Sequence, residues 1–149
     1  MTAGYKCPES VLVVIYTTDL QVLLLERAKH PGYWQSVTGS REVGESFLAT
    51  AVREVHEETG LSIKPDQLRV WPVQNRYTIM PEWRHRYAPE VTHNLEQVFS
   101  ICLPTTCDIQ IAPDEHRAWR WTPWKDAAAA CFSASNREAI LQLPAIKPS

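Results

Sequence analysis

The segment from Gly39 to Leu61 constrains this chain more than any other, because it carries both an apolar stripe that must be buried and an acidic cluster that resists burial. On a helix that advances about 100° per residue, Glu57 falls about 60° to one side of Glu54 and Glu58 about 40° to the other. Leu48, Val52 and Val55 lie within about 60° of one another on the side away from the acids. These positions predict an amphipathic helix with its carboxylates on a solvent-facing wedge. Ser46 is placed as the N-cap, and Gly60, directly after the periodic run, as the glycine that closes the helix.

Three carboxylates within one turn repel each other, and a hard divalent cation turns that repulsion into binding. A cation held this way bridges naturally to phosphate, where it can polarise a phosphoryl oxygen, acidify a water and align the attacking and leaving oxygens. A base must also take the water's proton; one of the glutamates, or an acid from a neighbouring loop, would serve. A bare acidic run is more often a solvated face paired with Arg or Lys. What separates this one is the set of fixed positions around it: Gly39-x5-Glu45-x7-Arg53-Glu54-Val55-His56-Glu57-Glu58-Thr59-Gly60-Leu61.

That spacing resembles the Nudix box at every fixed position. The resemblance implies an α/β fold, a Nudix-type α/β/α sandwich with a mixed β-sheet, and Mg²⁺ as cofactor, with Mn²⁺ as a substitute. It implies hydrolysis of a small-molecule substrate in which a nucleoside diphosphate is linked to another group. Carried onto this chain, the metal ligands are Glu54 and Glu58, with Glu57 beside them, and Glu54 is also a catalytic residue. Arg53, at the edge of the wedge, would orient carboxylates, and His56 occupies a free position.

Further pieces of the chain narrow the resemblance. Tyr33–Ser40, Arg84–Pro89, Val91–Asn94, Asp114–His116 ahead of Trp119, and Ser135–Arg137 are together similar to the bacterial branch of the family that acts on dihydroneopterin triphosphate in folate biosynthesis. Arg41–Val43 departs from the more acidic loop of that branch. The implied reaction yields dihydroneopterin monophosphate and pyrophosphate. Hydrolysis of a nucleoside triphosphate, dATP or an oxidised dGTP, is the alternative. A non-catalytic nucleotide sensor is a third reading, disfavoured because such modules lose acids that this box retains. The resemblance makes Glu115 a metal ligand or the general base, with Asp114 as the fallback. Lys6 and Arg27, on one side of a hairpin, would meet the triphosphate, and Thr38 could donate its hydroxyl or N–H. Tyr77, Trp83 and Tyr87 are candidates to stack on a flat ring, and Ser135 and Asn136 to bond its edge. Arg84, His85 and Arg86 would bracket the phosphate tail or pair with Glu82, Glu90 or Glu96.

At 149 residues with 44% apolar content, one domain spanning 1–149 is expected. A net charge of −2 argues against a general nucleic-acid binder, and the basic cluster at 84–86 lacks the interleaved aromatics of one. No charged-then-apolar leader opens the chain, and the longest apolar run, Val11–Tyr16, is too short to cross a bilayer, so a soluble cytoplasmic protein is expected. Cys7, Cys102, Cys107 and Cys131 show no C-x-x-C spacing and read as isolated thiols. Oligomeric state is not legible.

Around the helix, Val11–Tyr16 and Val22–Glu26 read as a central hairpin, with Leu68–Gln74, Glu96–Leu103 and Ala118–Thr122 as further strands. Trp124–Cys131 and Asn136–Leu143 read as helices, and Tyr77–Asn94 as a long loop. Trp34, Trp119, Trp121 and Trp124 are assigned to the core or an interface.

Overall fold

A computed structural model describes residues 4–146. Its strands are β1 (Glu9–Thr17), β2 (Gln21–Arg27), β3 (Trp34–Gln35), β4 (Val37–Ser40), β5 (Arg69–Thr78), β6 (His93–Leu103) and β7 (His116–Pro123); its helices are α1 (Phe47–Thr59), α2 (Trp124–Ala130), α3 (Ala134–Leu141) and α4 (Leu143–Ile146). All seven strands join one sheet of path β3-β2-β1-β6-β5, with β4 on β1 and β7 on β2. β1 runs parallel to β6 from Glu9↔Leu95 to Thr17↔Leu103, and the other pairings are antiparallel. The sheet is therefore mixed, as expected.

Alternation along the central strands assigns the two layers. Leu12, Val14, Val22, Leu24 and Val98 pack with Ala127, Ala139 and Ile140 of α2 and α3, whereas Val11, Val13, Leu23, Leu25 and Phe99 pack with Ala51 and Val55 of α1. Both faces are covered, which is why β1 reads as an unbroken apolar run and not as an alternating one. The half-buried Trp34 and Trp124 border the first core, and Trp119 and Trp121 the second.

Helix α1 has the predicted ends. Ser46 Oγ accepts from the Ala49 N–H at 3.0 Å, and Gly60, at φ 78°, donates its N–H to His56 O. Val55 is fully buried, while Leu48 and Val52 lie only partly buried at the margin of the same core.

Other expectations need correction. The hairpin barely exists as one, since β1 and β2 register only at Tyr16↔Val22 before they diverge. Beyond that point β1 pairs with β4 from Val13↔Val37 to Ser10↔Ser40, while β2 pairs with β7. The sheet forks there, and the fork is lined by the segment Trp34–Ser40, whose strands were too short to show a periodic signal. The predicted loop Tyr77–Asn94 is shorter, because β5 and β6 extend as far as the pair Thr78↔His93. Inside what remains, Pro81–Arg86 forms 3₁₀ turns. The last predicted helix is divided, α3 ending before Gln142 and α4 following it. No helix among the described residues is long and apolar enough to cross a membrane.

Candidate active site

The box folds around Arg53. Its Nε and Nη2 donate to the Glu45 carboxylate at 2.6 and 2.9 Å, its Nη1 to Glu54 Oε1 at 2.7 Å and Glu57 Oε2 at 3.2 Å, and its Nη2 also to Ser40 O at 3.0 Å. With its donors so committed, Arg53 fixes acids in place and has little left for a ligand. The hydrogen bond from Arg53 holds the Glu45 carboxyl down at about 2.

Gly39 explains itself only in three dimensions. A Cβ there would lie within 2.5 Å of the Glu54 Cδ and both carboxylate oxygens, so the acid occupies the space that a side chain would fill. The carboxylate of Glu54 is thereby pressed against β4 at the fork.

The expected solvent-facing wedge is not what forms. Glu54 is 8% exposed and Glu58 only 1%, while Glu57 alone stands at the surface, turned towards Arg53. Glu58 reaches into the fork, where Thr38 N–H donates to it and Glu54 lies within hydrogen-bonding reach. Burial, then the Glu54 contact and the nearby charges of Glu54 and Glu115, push the Glu58 carboxyl well above the usual carboxylate range. Thr38 is not free for a phosphate, because its hydroxyl donates to Val11 O at 2.9 Å and its N–H serves Glu58. It positions an acid instead.

Ligand atoms of Glu58, Glu115 and His116 all lie within 4.8 Å of one another. Glu115 sits at the rim, its carboxyl raised by partial burial and then by the charges of Glu54, Asp114 and Glu57, with Lys6 opposing. His116 was quoted within a sequence motif but given no role, yet it is 3% exposed in the middle of this group. Burial, and then the Arg27 charge, lower its pKa to about 4, so the ring is neutral near pH 7. Its tautomer follows from its neighbours. Arg27 Nη1 donates to Gln35 Oε1 at 3.3 Å, which turns the Gln35 amide nitrogen, a donor only, towards His116 Nε2 at 3.4 Å. Nε2 is therefore an acceptor and faces Glu58 Oε1 at 3.9 Å, a buried oxygen with no hydrogen-bond partner among the described residues. The oxygens of Glu58 and Glu115 and the neutral His116 ring thus converge on one point at the mouth of the fork, a ligand set that fits a hard cation.

Cations gather on the other side of the cleft. Lys6 and Arg27 both line it, and burial followed by repulsion from Arg86 and Arg27 lowers the Lys6 ammonium to about 8. The Lys6 N–H donates to Arg86 O at 2.8 Å, tying the segment before β1 to the 81–86 turns. Arg84 instead donates to Pro89 O and Val91 O, and among the described residues neither it nor Arg86 pairs with Glu82, Glu90 or Glu96. Trp83 stands edge-on to His30 and Phe132, with the Arg27 guanidinium 5.1 Å from its ring. Tyr77 and Ser135 line the same cleft, and the Tyr77 hydroxyl accepts from Asn94 Nδ2 at 3.0 Å. Asn136 is buried and makes a reciprocal pair with Ser36, its Oδ1 accepting from Ser36 N at 2.8 Å and its Nδ2 donating to Ser36 Oγ at 3.0 Å, so it anchors α3 to the fork. All four cysteines are free thiols.

A sheet forked around a box helix that feeds acids into the gap defines the class, and the NUDIX domain family model matches residues 7–143. The chain belongs to the Nudix family. It is 45% identical, over 93% of each sequence, to the dihydroneopterin triphosphate diphosphatase of Escherichia coli K12. The enzyme of the same name from Haemophilus influenzae is 39% identical over 91% of this chain and 87% of its own. The solved structure of the E. coli dihydroneopterin triphosphate pyrophosphohydrolase superposes with a TM-score of 0.85 at 44% identity, covering 93% of this chain and 95% of that one.

Proposed function

We propose that this chain is a single-domain, Mg²⁺-dependent pyrophosphohydrolase that cleaves dihydroneopterin triphosphate to the monophosphate and pyrophosphate, in the cytoplasm. The observation that carries the reaction class is the convergence of Glu58, Glu115 and His116 at the fork beside the buried Glu54, in a cleft that Lys6 and Arg27 also line. The substrate follows from likeness to relatives at 45% and 39% identity over nearly their whole length.

Glu54, Glu58 and Glu115 would hold the divalent ion, with Glu57 closing the group from the surface side. When bound, the ion supplies Lewis-acid polarisation of the phosphoanhydride and acidifies water. Arg53 keeps Glu54 aimed by its 2.7 Å hydrogen bond, and Thr38 N–H keeps Glu58 in the fork. Where it does not ligate the ion, Glu115, at the rim with its carboxyl raised by partial burial, would take the proton of an attacking water. Lys6 and Arg27 take phosphate oxygens.

The test is pyrophosphate release from dihydroneopterin triphosphate, dATP, dGTP and 8-oxo-dGTP with Mg²⁺ and with EDTA. Turnover of the pterin above the nucleotides, abolished by EDTA, is the expected result. Turnover of dATP far above the pterin overturns the substrate assignment, and no turnover of any triphosphate overturns the enzyme.

A further inference from the structure

Ser40, Ser10, Glu96 and Asn75 stand opposite one another on adjacent strands β4, β1, β6 and β5. The row lies on the α2/α3 side of the sheet, one step along from Leu12 and Val98. At the place in β6 where alternation calls for an apolar residue, the chain has a carboxylate that is 4% exposed. Among the described residues no Lys, Arg or His forms an ion pair with it. It is met by neutral donors only, Asn75 Nδ2 at 3.2 Å from Oε1 and the Ser135 hydroxyl, which offset part of the upward shift that burial imposes on it.

A buried carboxylate without a cation is costly, and the fold had an apolar alternative at that position. The side chain lines the same cleft as the acid cluster. Two residues away on the same face, Asn94 is 1% exposed; its Nδ2 serves Ser10 Oγ and the Tyr77 hydroxyl, and its Oδ1 has no partner among the described residues. This floor offers acceptors to whatever lies on it. The complementary ring presents two adjacent N–H donors, as a 2-amino-4-oxopyrimidine does with its ring N3–H and its exocyclic amine, matching both carboxylate oxygens. An adenine-type edge has the amine but no neighbouring ring N–H. Two inter-strand spacings separate Glu96 from Ser40, beside Gly39 and the Glu54 carboxylate, a span on the order of 10 Å. A short polyol or ribose arm with its phosphates covers that span.

We propose that Glu96, with Asn94 beside it, selects the substrate's ring by accepting both donors of a 2-amino-4-oxopyrimidine edge, whether pterin or guanine. This rests on the reading that the fork binds such a triphosphate, and its test is built to separate the two. Binding of phosphate-free neopterin, guanosine, inosine and adenosine to the metal-free protein is followed by NMR chemical-shift titration, in wild type and Glu96→Gln. Neopterin and guanosine should bind at least about tenfold more tightly than adenosine, with inosine, which lacks the amine, between them. The variant should lose that preference while melting no lower than wild type and keeping its affinity for pyrophosphate with Mg²⁺. Neopterin above guanosine would support the assignment with pterin as the source of the edge, and the reverse order would support it with guanine. In turnover, kcat/KM for dihydroneopterin triphosphate and GTP should fall about 100-fold in Glu96→Gln and that for ATP less than about threefold. Equal binding of adenosine and guanosine to wild type overturns the inference without any variant. So does a variant that weakens all ligands alike or none. Ring preference without hydrolysis of any triphosphate sustains the inference and refutes only the proposed enzyme.

Discussion

Gly39→Ala should disable the site without unfolding the domain. The added Cβ falls within 2.5 Å of three atoms of the Glu54 carboxyl group, whereas ordinary contacts lie at 3.4–4 Å, so the carboxylate must retreat by about an ångström or more. Gly39 does not have the left-handed φ of Gly44 or Gly60, so the backbone itself tolerates alanine. Retreat lengthens the 2.7 Å bond from Arg53 and moves an acid off the fork. A misplacement of about 1 Å at a reacting centre costs on the order of 100-fold in rate. Overpacking costs about 1–3 kcal/mol of stability, towards the lower end here because Glu54 can swing into the open cleft. The assay pairs kcat at saturating substrate with Mn²⁺ affinity measured calorimetrically and a thermal melt. Glu54→Asp supplies the internal control, since shortening the side chain by one methylene withdraws the carboxylate by about 1.5 Å. The double variant Gly39→Ala/Glu54→Asp should therefore be more active than the product of the two single effects predicts. Wild-type kcat and Mn²⁺ affinity in Gly39→Ala, or strictly multiplicative losses in the double variant, would refute the reasoning.

Three further outcomes are expected. Glu58→Gln should lower turnover by orders of magnitude yet raise the metal-free melting temperature, because it removes a buried acid held near two others; a lower melting temperature would contradict the electrostatic account. Val55→Asp should cost more than about 3 kcal/mol in urea unfolding by burying an unpaired charge, and Val52→Asp distinctly less, since Val52 is only partly buried; equal losses would mean the helix faces are misassigned. Glu45 has a folded-state pKa of about 2 against 4.5 unperturbed, so its contribution is full above pH 4.5 and is lost as the pH falls towards 2. Removing it by Glu45→Gln should cost on the order of 1 kcal/mol at pH 7 and flatten the fall in stability between pH 5 and 2.5, as read by urea melts at each pH.

The helix, its caps and its acids were legible in the sequence because they depend on local periodicity and on spacing within one element. Ser46, Gly60, Val55 and Arg53 all stand as their positions predict. The short strands at Trp34–Gln35 and Val37–Ser40 were not legible, since neither is long enough to alternate and both are held by partners distant in sequence. His116 was given no role, and Glu96 only a pairing with the basic cluster at 84–86, for a related reason. Each is polar at an inward strand position, a signal visible only once the strand and its facing layer are known.

From its residues alone the chain determined a box helix and its two faces, because each follows from angular spacing along a single helix, and the resemblance of the whole box to a known family implied a divalent-ion phosphate chemistry. Which acids are buried was decided by the fold. Divergence of β1 and β2 after one registered pair opened the fork, and into it α1 sends Glu54 and Glu58 while leaving Glu57 at the surface. Helical angle gives the direction of a side chain relative to its axis, but only the packing of that axis on a sheet fixes what lies in that direction.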